Sequence, residues 1–567
     1  MEENNNVTII GICSLLLVVL VVAVTFGVTQ DEKSDDGGHC EVQSSAKAIK
    51  DLCQPTDYEQ TCERSLEKAN TTDSKVLIRT GFKAAITEIE GVIARSDALK
   101  EDVKDKPRAR QALANCKVLM QYAIDDLNDA DDQMGKLVMN RFDEYIENLK
   151  IWLAATITHQ ETCLDGFVKT RGEAGNKMRE LLKTSRELSS NALAMVYELD
   201  LALKKLDLPN MSKMNTSGFS RRLLSQLEEL PPWVSSTQRK LLANKTPSDV
   251  EPNLVVAKDK SGNYSTIKAA LKQVPRGSSE PFVIYIKAGI YKERLVINKD
   301  MRNVILIGDG PKKTVITGSK NYRDGTSTYR TATVAVIGKR FIAKDIQIRN
   351  TAGAKKRQAV ALRVQSDQSV FYNCKIDGYG NTLYVHSHRQ FYRQCTIRGT
   401  IDFIFGDAAV VLQNCKIIIK RPLSKQDCFV TAQGRSERRE VTAIVLHNCS
   451  ISGTNEYKTV KNKNKAYLGR PWKEFSRTII MQSYIDDVID PKGWFPWDGE
   501  FAFDTSVYAE FKNRGPGAVQ AGRVKGRGMK RFSVEHMKRY TVEEFIRGQE
   551  FIPKAGVPYS PRMIKGL

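Results

Sequence analysis

Three hydrophobic rhythms follow one another along the chain. From Ile9 to Val28 almost every residue is apolar, interrupted only by small residues such as Cys13, Ser14 and Thr25, and the run is long enough to cross a bilayer. Between about Cys40 and Leu206 apolar residues recur at helical spacing, with Ala112, Cys116, Leu119 and Ala123 on one stripe and Leu149, Leu153, Ile157 and Thr158 on another. Only Pro55 and Pro107 interrupt that stretch, so residues 40–206 are predicted to form an antiparallel, all-α four-helix bundle. The rhythm fails from Pro209 to Pro252, where Ser, Asn, Thr and Pro accumulate, which marks residues 207–252 as an exposed linker.

After Pro252 the pattern changes to short β-branched runs such as Val283–Ile286, Val304–Ile307 and Val334–Ile337. A weak repeat aligns Ile342–Ile348 with Val370–Ile376, Phe391–Ile397, Val411–Ile417, Val445–Ile451 and, less well, Ile479–Ile485. One column of this alignment holds Ile346, Cys374, Cys395, Cys415, Cys449 and Ser483. Repeats with one strand each and insertions of variable length suit stacked coils, since no single coil buries its own apolar face. Residues 253–567 are therefore predicted to form a right-handed parallel β-helix with that column as an interior ladder. A helical piece at Thr541–Ile546 is expected to cover the open last coil, whose strand edges would otherwise be exposed.

Charge divides at the same place. Residues 1–200 carry 24 Lys and Arg against 34 Asp and Glu, and residues 201–567 carry 63 against 32. A back part so basic favours a polyanionic partner: nucleic acid, anionic lipid or acidic polysaccharide. No nucleic-acid motif accompanies the charge. The lead-in Met1–Asn6 lacks the basic residues of a cleaved signal, so residues 1–30 are expected to be a signal-anchor or transmembrane segment in preference to a conventional signal peptide. Either sends the chain along the secretory route, with which the sequons at Asn70, Asn210, Asn215, Asn244, Asn263 and Asn448 agree. In that compartment Cys53, Cys62, Cys116 and Cys163 are expected as two disulfides, and their spacing leaves three connectivities open. The linker carries two dibasic runs, Arg221-Arg222 and Arg239-Lys240, accessible there to a processing protease.

Candidate chemistry centres on Arg398-Gly399-Thr400-Ile401-Asp402-Phe403-Ile404-Phe405-Gly406, where one carboxylate sits among apolar neighbours. A buried Asp is costly unless paired or chemically used. Gln358–Leu362 lies upstream and Leu468-Gly469-Arg470-Pro471-Trp472 downstream. Together the three runs resemble the signature of plant pectin methylesterases, over nearly all of residues 250–567. The front part, with Thr162-Cys163-Leu164-Asp165-Gly166-Phe167, resembles the invertase and pectin-methylesterase inhibitor family.

The resemblance implies a carboxylic ester hydrolase that removes methyl groups from polygalacturonate in the cell wall. It implies Asp402 as nucleophile, Arg470 as its partner, Gln358 facing the developing oxyanion, and Thr328 and Trp472 contacting substrate. Gly289–Glu293 matches a structural run. It also implies the pairs Cys53–Cys62, Cys116–Cys163 and Cys395–Cys415, with Cys374, Cys428 and Cys449 unassigned, and possible contact between the inhibitor-like and esterase-like parts. Metal-free ester hydrolysis needs a nucleophile, oxyanion donors and an acid for the leaving alkoxide. No cofactor or metal cluster is expected: the six histidines are scattered, and the pair His386 and His388 has no acidic third ligand at suitable spacing. His159, on a helix face, is expected to be structural and partly exposed. The bundle shows no catalytic constellation, so a folding or targeting pro-region and an inhibitory module both remain open.

Two departures bear on turnover. Where the family places Gln and then the acid Asp, this chain has Gly380 and Asn381 in Tyr379–Tyr384. Asn has no carboxylic proton to donate, and Gly380 supplies no side-chain amide. Asp377 is the nearest carboxylate in sequence that could stand in. A smaller departure is Gly526, where the family commonly has an aromatic residue. The readings left open are a pectin methylesterase, weakened or not, and a non-catalytic pectin-binding homologue that keeps Thr328, Gln358, Arg470 and Trp472.

Overall fold

In the computed structural model, residues 44–137, 141–168, 170, 172–205 and 251–566 are described, and they fall into two compact units. The apolar run 9–28, both dibasic runs and the sequons at Asn210, Asn215 and Asn244 lie outside the described residues. Among the described residues no helix is long and apolar enough to cross a membrane.

The first unit is helical, with the long helices Ser74–Arg95, Phe142–Asp165 and Ala174–Lys205 and, from Leu113 on, Pro107–Gly135. Asp73 starts the first of these by accepting from the amides of Lys75 and Val76 at 2.8 and 3.4 Å, which satisfies donors that a helix end leaves open. Pro107 occupies the first position of Pro107–Gly135, where its missing N–H costs nothing. Ala112, Cys116, Leu119 and Ala123 are all buried, as are Leu149, Leu153, Ile157 and Thr158. The disulfides are Cys53–Cys62 and Cys116–Cys163. His159 departs from expectation. It is buried rather than partly exposed, with Nε2 3.1 Å from Asp126 Oδ2, because its helix is covered on nearly every face.

The second unit is a right-handed parallel β-helix of three parallel sheets with eleven, seven and eight strands. The first sheet runs from Leu254–Val256 to Met529–Lys530, the second from Leu295–Ile297 to Ala466–Gly469, and the third from Gly289–Tyr291 to Tyr484–Ile485. The repeat read from the sequence is the register of the coils. Val370, Phe391, Val411, Val445 and Ile479 are successive partners in the first sheet. Ile348, Ile376, Ile397, Ile417, Ile451 and Ile485 are successive partners in the third, and all six are buried.

The turn between those sheets explains the interior column. Asp345, Asn373, Gln394, Asn414, Asn448 and Gln482 all adopt positive φ, between 50° and 59°, and each precedes one member of the Cys column. A left-handed residue at every coil swings the next side chain into the core, and Asn tolerates that conformation better than most residues. The expected Cys395–Cys415 bridge is not formed. Both are free buried thiols, as are Cys374, Cys428 and Cys449. Stacking brings the two residues together, but each column thiol donates instead to a carbonyl of the preceding coil: Cys395 to Phe371 at 3.4 Å and Cys415 to Tyr392 at 3.5 Å. The same ladder engages the Asn448 amide with Asn414 and Arg514; Asn70 and Asn263 are exposed, and Asn263 Oδ1 accepts from the Val255 amide at 2.7 Å.

The N-terminal end of the stack is covered by the short helix Ile267–Leu271, whose Ile267, Ala270 and Leu271 join the core. Glu293, last residue of the Gly289–Glu293 run, accepts from the amides of Ile267 and Lys268 at 3.0 and 2.8 Å, so that run is structural. The C-terminal helix, Val542–Ile546, packs against the side of the stack on strand Ala409–Gln413 rather than over the last coil as expected. Its position follows from side-chain amides: Gln413 bonds both backbone groups of Ser560, and Gln482 both of Ile564.

Candidate functional site

The bend between the third and second sheets is a second left-handed column, Arg357, Asn381 and Asp402, with φ of 60°, 60° and 49°. Asn381 donates its amide to the Ile401 carbonyl at 2.9 Å, and Phe429 its amide to Thr400 at 3.0 Å. Asp402 therefore occupies a regular bend position of its coil, with Asn381 at the equivalent position one coil before. Gln358 pairs with Gly380 through a parallel bridge on the coils just upstream. The repeat thus brings Gln358, Gly380, Asn381 and Asp402, far apart in sequence, to one edge of the second sheet.

Asp402 is 6% exposed and fully paired. Arg470 donates Nε to Oδ1 at 2.8 Å and a terminal nitrogen to Oδ2 at 2.6 Å, a two-pronged geometry that fixes the carboxylate plane. Arg470 directly follows strand Ala466–Gly469, its amide bonded to the Thr431 carbonyl. The guanidinium is held between two aromatic faces, 4.0 Å from the Phe429 ring centre and 4.3 Å from that of Trp497. Neither ring lies in one of the sequence motifs.

An aromatic wall adjoins the pair. Tyr384 and Phe405 stack at 4.1 Å, and Trp472 approaches them at 6.3 and 5.8 Å. Their immediate neighbours Leu383, Val385 and Ile404 enter the core, so strand alternation puts Tyr384 and Phe405 on the outer face. Trp472 is set by its own loop: its amide bonds the Gln433 carbonyl at 3.1 Å, and the Gln433 side chain is tied to Asp407, Arg435 and Arg477. Gly434 permits the ring's close approach, since a Cβ there would lie 2.8 Å from Trp472 Cε3.

The remaining expected residues separate. Gln358 has a buried Oε1 without a hydrogen-bond partner, so that oxygen is not held by the scaffold. Thr328 opens a short turn, Thr328–Arg330, whose next residue, Tyr329, bonds Gln365 and packs edge-on against His386. His386 and His388 are both buried. Asp377 belongs to the third sheet, and its oxygens face Lys420 at 3.0 Å, Arg398 at 3.5 Å and Lys375 at 3.7 Å. It is engaged by structural cations.

Both units resemble known proteins. A family model described as Pectinesterase matches residues 253–549, and one described as Plant invertase/pectin methylesterase inhibitor matches residues 47–195. "Probable pectinesterase/pectinesterase inhibitor 21" of Arabidopsis thaliana is 49% identical over 569 residues, covering 100% of this chain and 84% of the relative. "Pectinesterase/pectinesterase inhibitor U1" of Solanum lycopersicum is 40% identical, covering 99% and 97%. Among solved structures, pectin methylesterase from carrot matches with 49% identity and a TM-score of 0.55, covering 55% of this chain and 99% of that one. On the match of model and relatives over both units, the chain belongs to the pectinesterase family, with an inhibitor-family domain preceding the β-helix.

Proposed function

We propose that the β-helix unit binds methyl-esterified polygalacturonate and carries a demethylation site whose turnover is held low by Gly380 and Asn381. The observation that carries this reading is the Asp402–Arg470 pair beside the wall of Tyr384, Phe405 and Trp472. An Asp402 oxygen attacks the ester carbonyl, and the tetrahedral intermediate expels methoxide to leave an anhydride on Asp402. Water then hydrolyses the anhydride and restores the carboxylate. Gln358 supplies one donor to the oxyanion, Thr328 and Trp472 contact the sugar, and Arg470 keeps the nucleophile aimed.

The methoxide must leave as methanol, and no carboxylic acid stands at position 381 to provide the proton. Loss of general-acid help typically costs about 10²–10⁴ in rate, and loss of one oxyanion donor about 10²–10³. Those same two positions favour a second reading, a pectin-binding homologue without turnover. Methanol release from esterified pectin separates the two: slow release abolished by Asp402→Asn supports the esterase, and none above background supports the binder.

In this reading the protein acts in the cell wall after secretion, and cleavage within residues 207–252 frees the β-helix unit from the inhibitor-like bundle. The excess of cations supplies attraction for de-esterified pectin that weakens with salt, screening having a reach of about 8 Å at physiological ionic strength.

A further inference from the structure

A cavity of about 370 Å³ lies at the C-terminal end of the coil stack, lined by residues between Trp494 and Arg531, none of which is assigned to the candidate site. Its floor is aromatic: Trp494 and Tyr508 stack at 4.2 Å with 12° between their planes. Tyr508 is 2% exposed, and its hydroxyl has no partner in hydrogen-bond geometry; the nearby Ser506 hydroxyl donates to the Ala502 carbonyl. A buried polar group left without a partner is destabilising, by about 1–3 kcal/mol, and such groups are rare enough to need a reason.

The charges around the cavity are unbalanced. Glu510 accepts two bonds from Arg523, at 2.7 and 2.9 Å, and one from Trp494 Nε1 at 3.2 Å, so that carboxylate and that guanidinium cancel. Lys525, Lys530 and Arg531 also line the cavity, and no described residue forms an ion pair with any of them. Val524 and Met529 add apolar surface. The opening includes Gly526, which has no side chain to fill it. The atoms nearest to a Cβ at Gly526 would be two of the Phe503 ring, at 3.1 and 3.5 Å, and Asp504 Oδ1 at 3.7 Å, so the Phe503 ring must give slightly.

We propose that this cavity is a binding site for a small aromatic carboxylate. Its ring would occupy the space beside Val524 and Met529 above Trp494 and Tyr508, its carboxylate would meet Lys530 and Arg531, and a ring hydroxyl would partner Tyr508. The apolar and aromatic lining favours a planar ring over a sugar, while the cations select an anion. The site is independent of whether Asp402 turns over.

Calorimetric titration of the full chain with 4-hydroxybenzoate at low salt tests this, with benzoate and galacturonate as parallel titrants. The expected result is millimolar or tighter binding of 4-hydroxybenzoate, weaker binding of benzoate, and none of galacturonate at the same concentration. Lys530→Ala with Arg531→Ala should weaken binding about tenfold or more, Tyr508→Phe should erase the difference between the two aromatic acids, and Gly526→Trp should fill the cavity and abolish binding. Should Gly526→Trp fail to fold, the Lys530/Arg531 double variant decides. No heat of binding at 10 mM, tighter binding of galacturonate, or affinity unchanged by these substitutions would overturn the proposal.

Discussion

Gln358 and Gly380 are bridged side by side on neighbouring coils, Ala359 donating its amide to the Gly380 carbonyl at 3.1 Å, so one glutamine amide lies next to the place where a second is missing. The backbone leaves room for a side chain to start there. A Cβ at Gly380 would lie 3.4 Å from the Arg357 carbonyl oxygen and 3.8 Å from that of Ile401, ordinary contacts. Asn381 has a φ of 60°, which Asp tolerates as Asn does. Gly380→Gln with Asn381→Asp should therefore fold and raise methanol release by about 10² or more. Asn381→Asp alone should recover more than Gly380→Gln alone, because Gln358 remains as a donor whereas no other residue replaces the acid. Asp402→Asn should remove the gain. A wild-type rate equal to that of the double variant would sink the argument.

The two rings around Arg470 give a second expectation, best measured in the repaired protein. Trp497 covers one face of the guanidinium at 4.3 Å, a contact of about 0.5–2 kcal/mol. Trp497→Ala should lower kcat by about three- to thirty-fold with a smaller change in KM, since what loosens is the aim of Asp402. Arg470→Lys should cost more, because an ammonium cannot make the two-pronged contact. Equal losses from the two changes would show that Trp497 acts on substrate rather than through Arg470.

Much of this was legible in the sequence. The Ile column and the Cys column are stacked in the structure as the repeat aligned them, because the strand period and the left-handed Asn bends both leave a trace in composition. Asp402, Arg470 and Trp472 were found through motifs. Phe429 and Trp497 were not, since their role depends on which ring faces a guanidinium 41 and 27 residues away in sequence. The free state of Cys395 and Cys415 was also illegible: spacing shows that the residues are neighbours, but not that each thiol already has a carbonyl partner.

The pair Arg389 and Asp367 sets an expectation for stability. Both are buried, and Arg389 meets Asp367 at 2.9 and 2.7 Å. Burial would raise the Asp367 carboxyl, but the guanidinium outweighs it and holds the group well below the usual range. Asp367→Asn leaves a buried cation without its counter-charge and should cost about 3–5 kcal/mol. Glu535→Gln, which breaks the exposed pair with Lys538, should cost under about 1 kcal/mol. Denaturant midpoints compare the two, and similar shifts would contradict the assignment.

His447 should make the β-helix sensitive to acid. Burial, together with the nearby Arg393 and against the bond to Gln482, pushes its imidazole down to about 4 from 6.5. The geometry gives the cause. Nε2 donates to Gln482 Oε1 at 3.0 Å, while Nδ1 accepts from Gln413 Nε2 at 3.1 Å. Gln413 cannot flip to accommodate a second ring proton, since its amide is fixed by both backbone groups of Ser560. Between pH 4 and 6.5 the unfolded chain binds a proton there that the folded chain refuses, so the stability contribution is full above 6.5 and is lost as the pH falls towards 4. A shift of that size corresponds to about 3 kcal/mol. In His447→Gln the side chain no longer titrates, and the stability gap between wild type and variant should move by about that amount between pH 7 and pH 4. Protection of the amides near Ser560 and Ile564, relative to their intrinsic exchange rates, should fall over the same window in the wild type alone, because the two glutamines that hold this segment also hold the imidazole. Parallel pH–stability curves for the two proteins would refute the assignment.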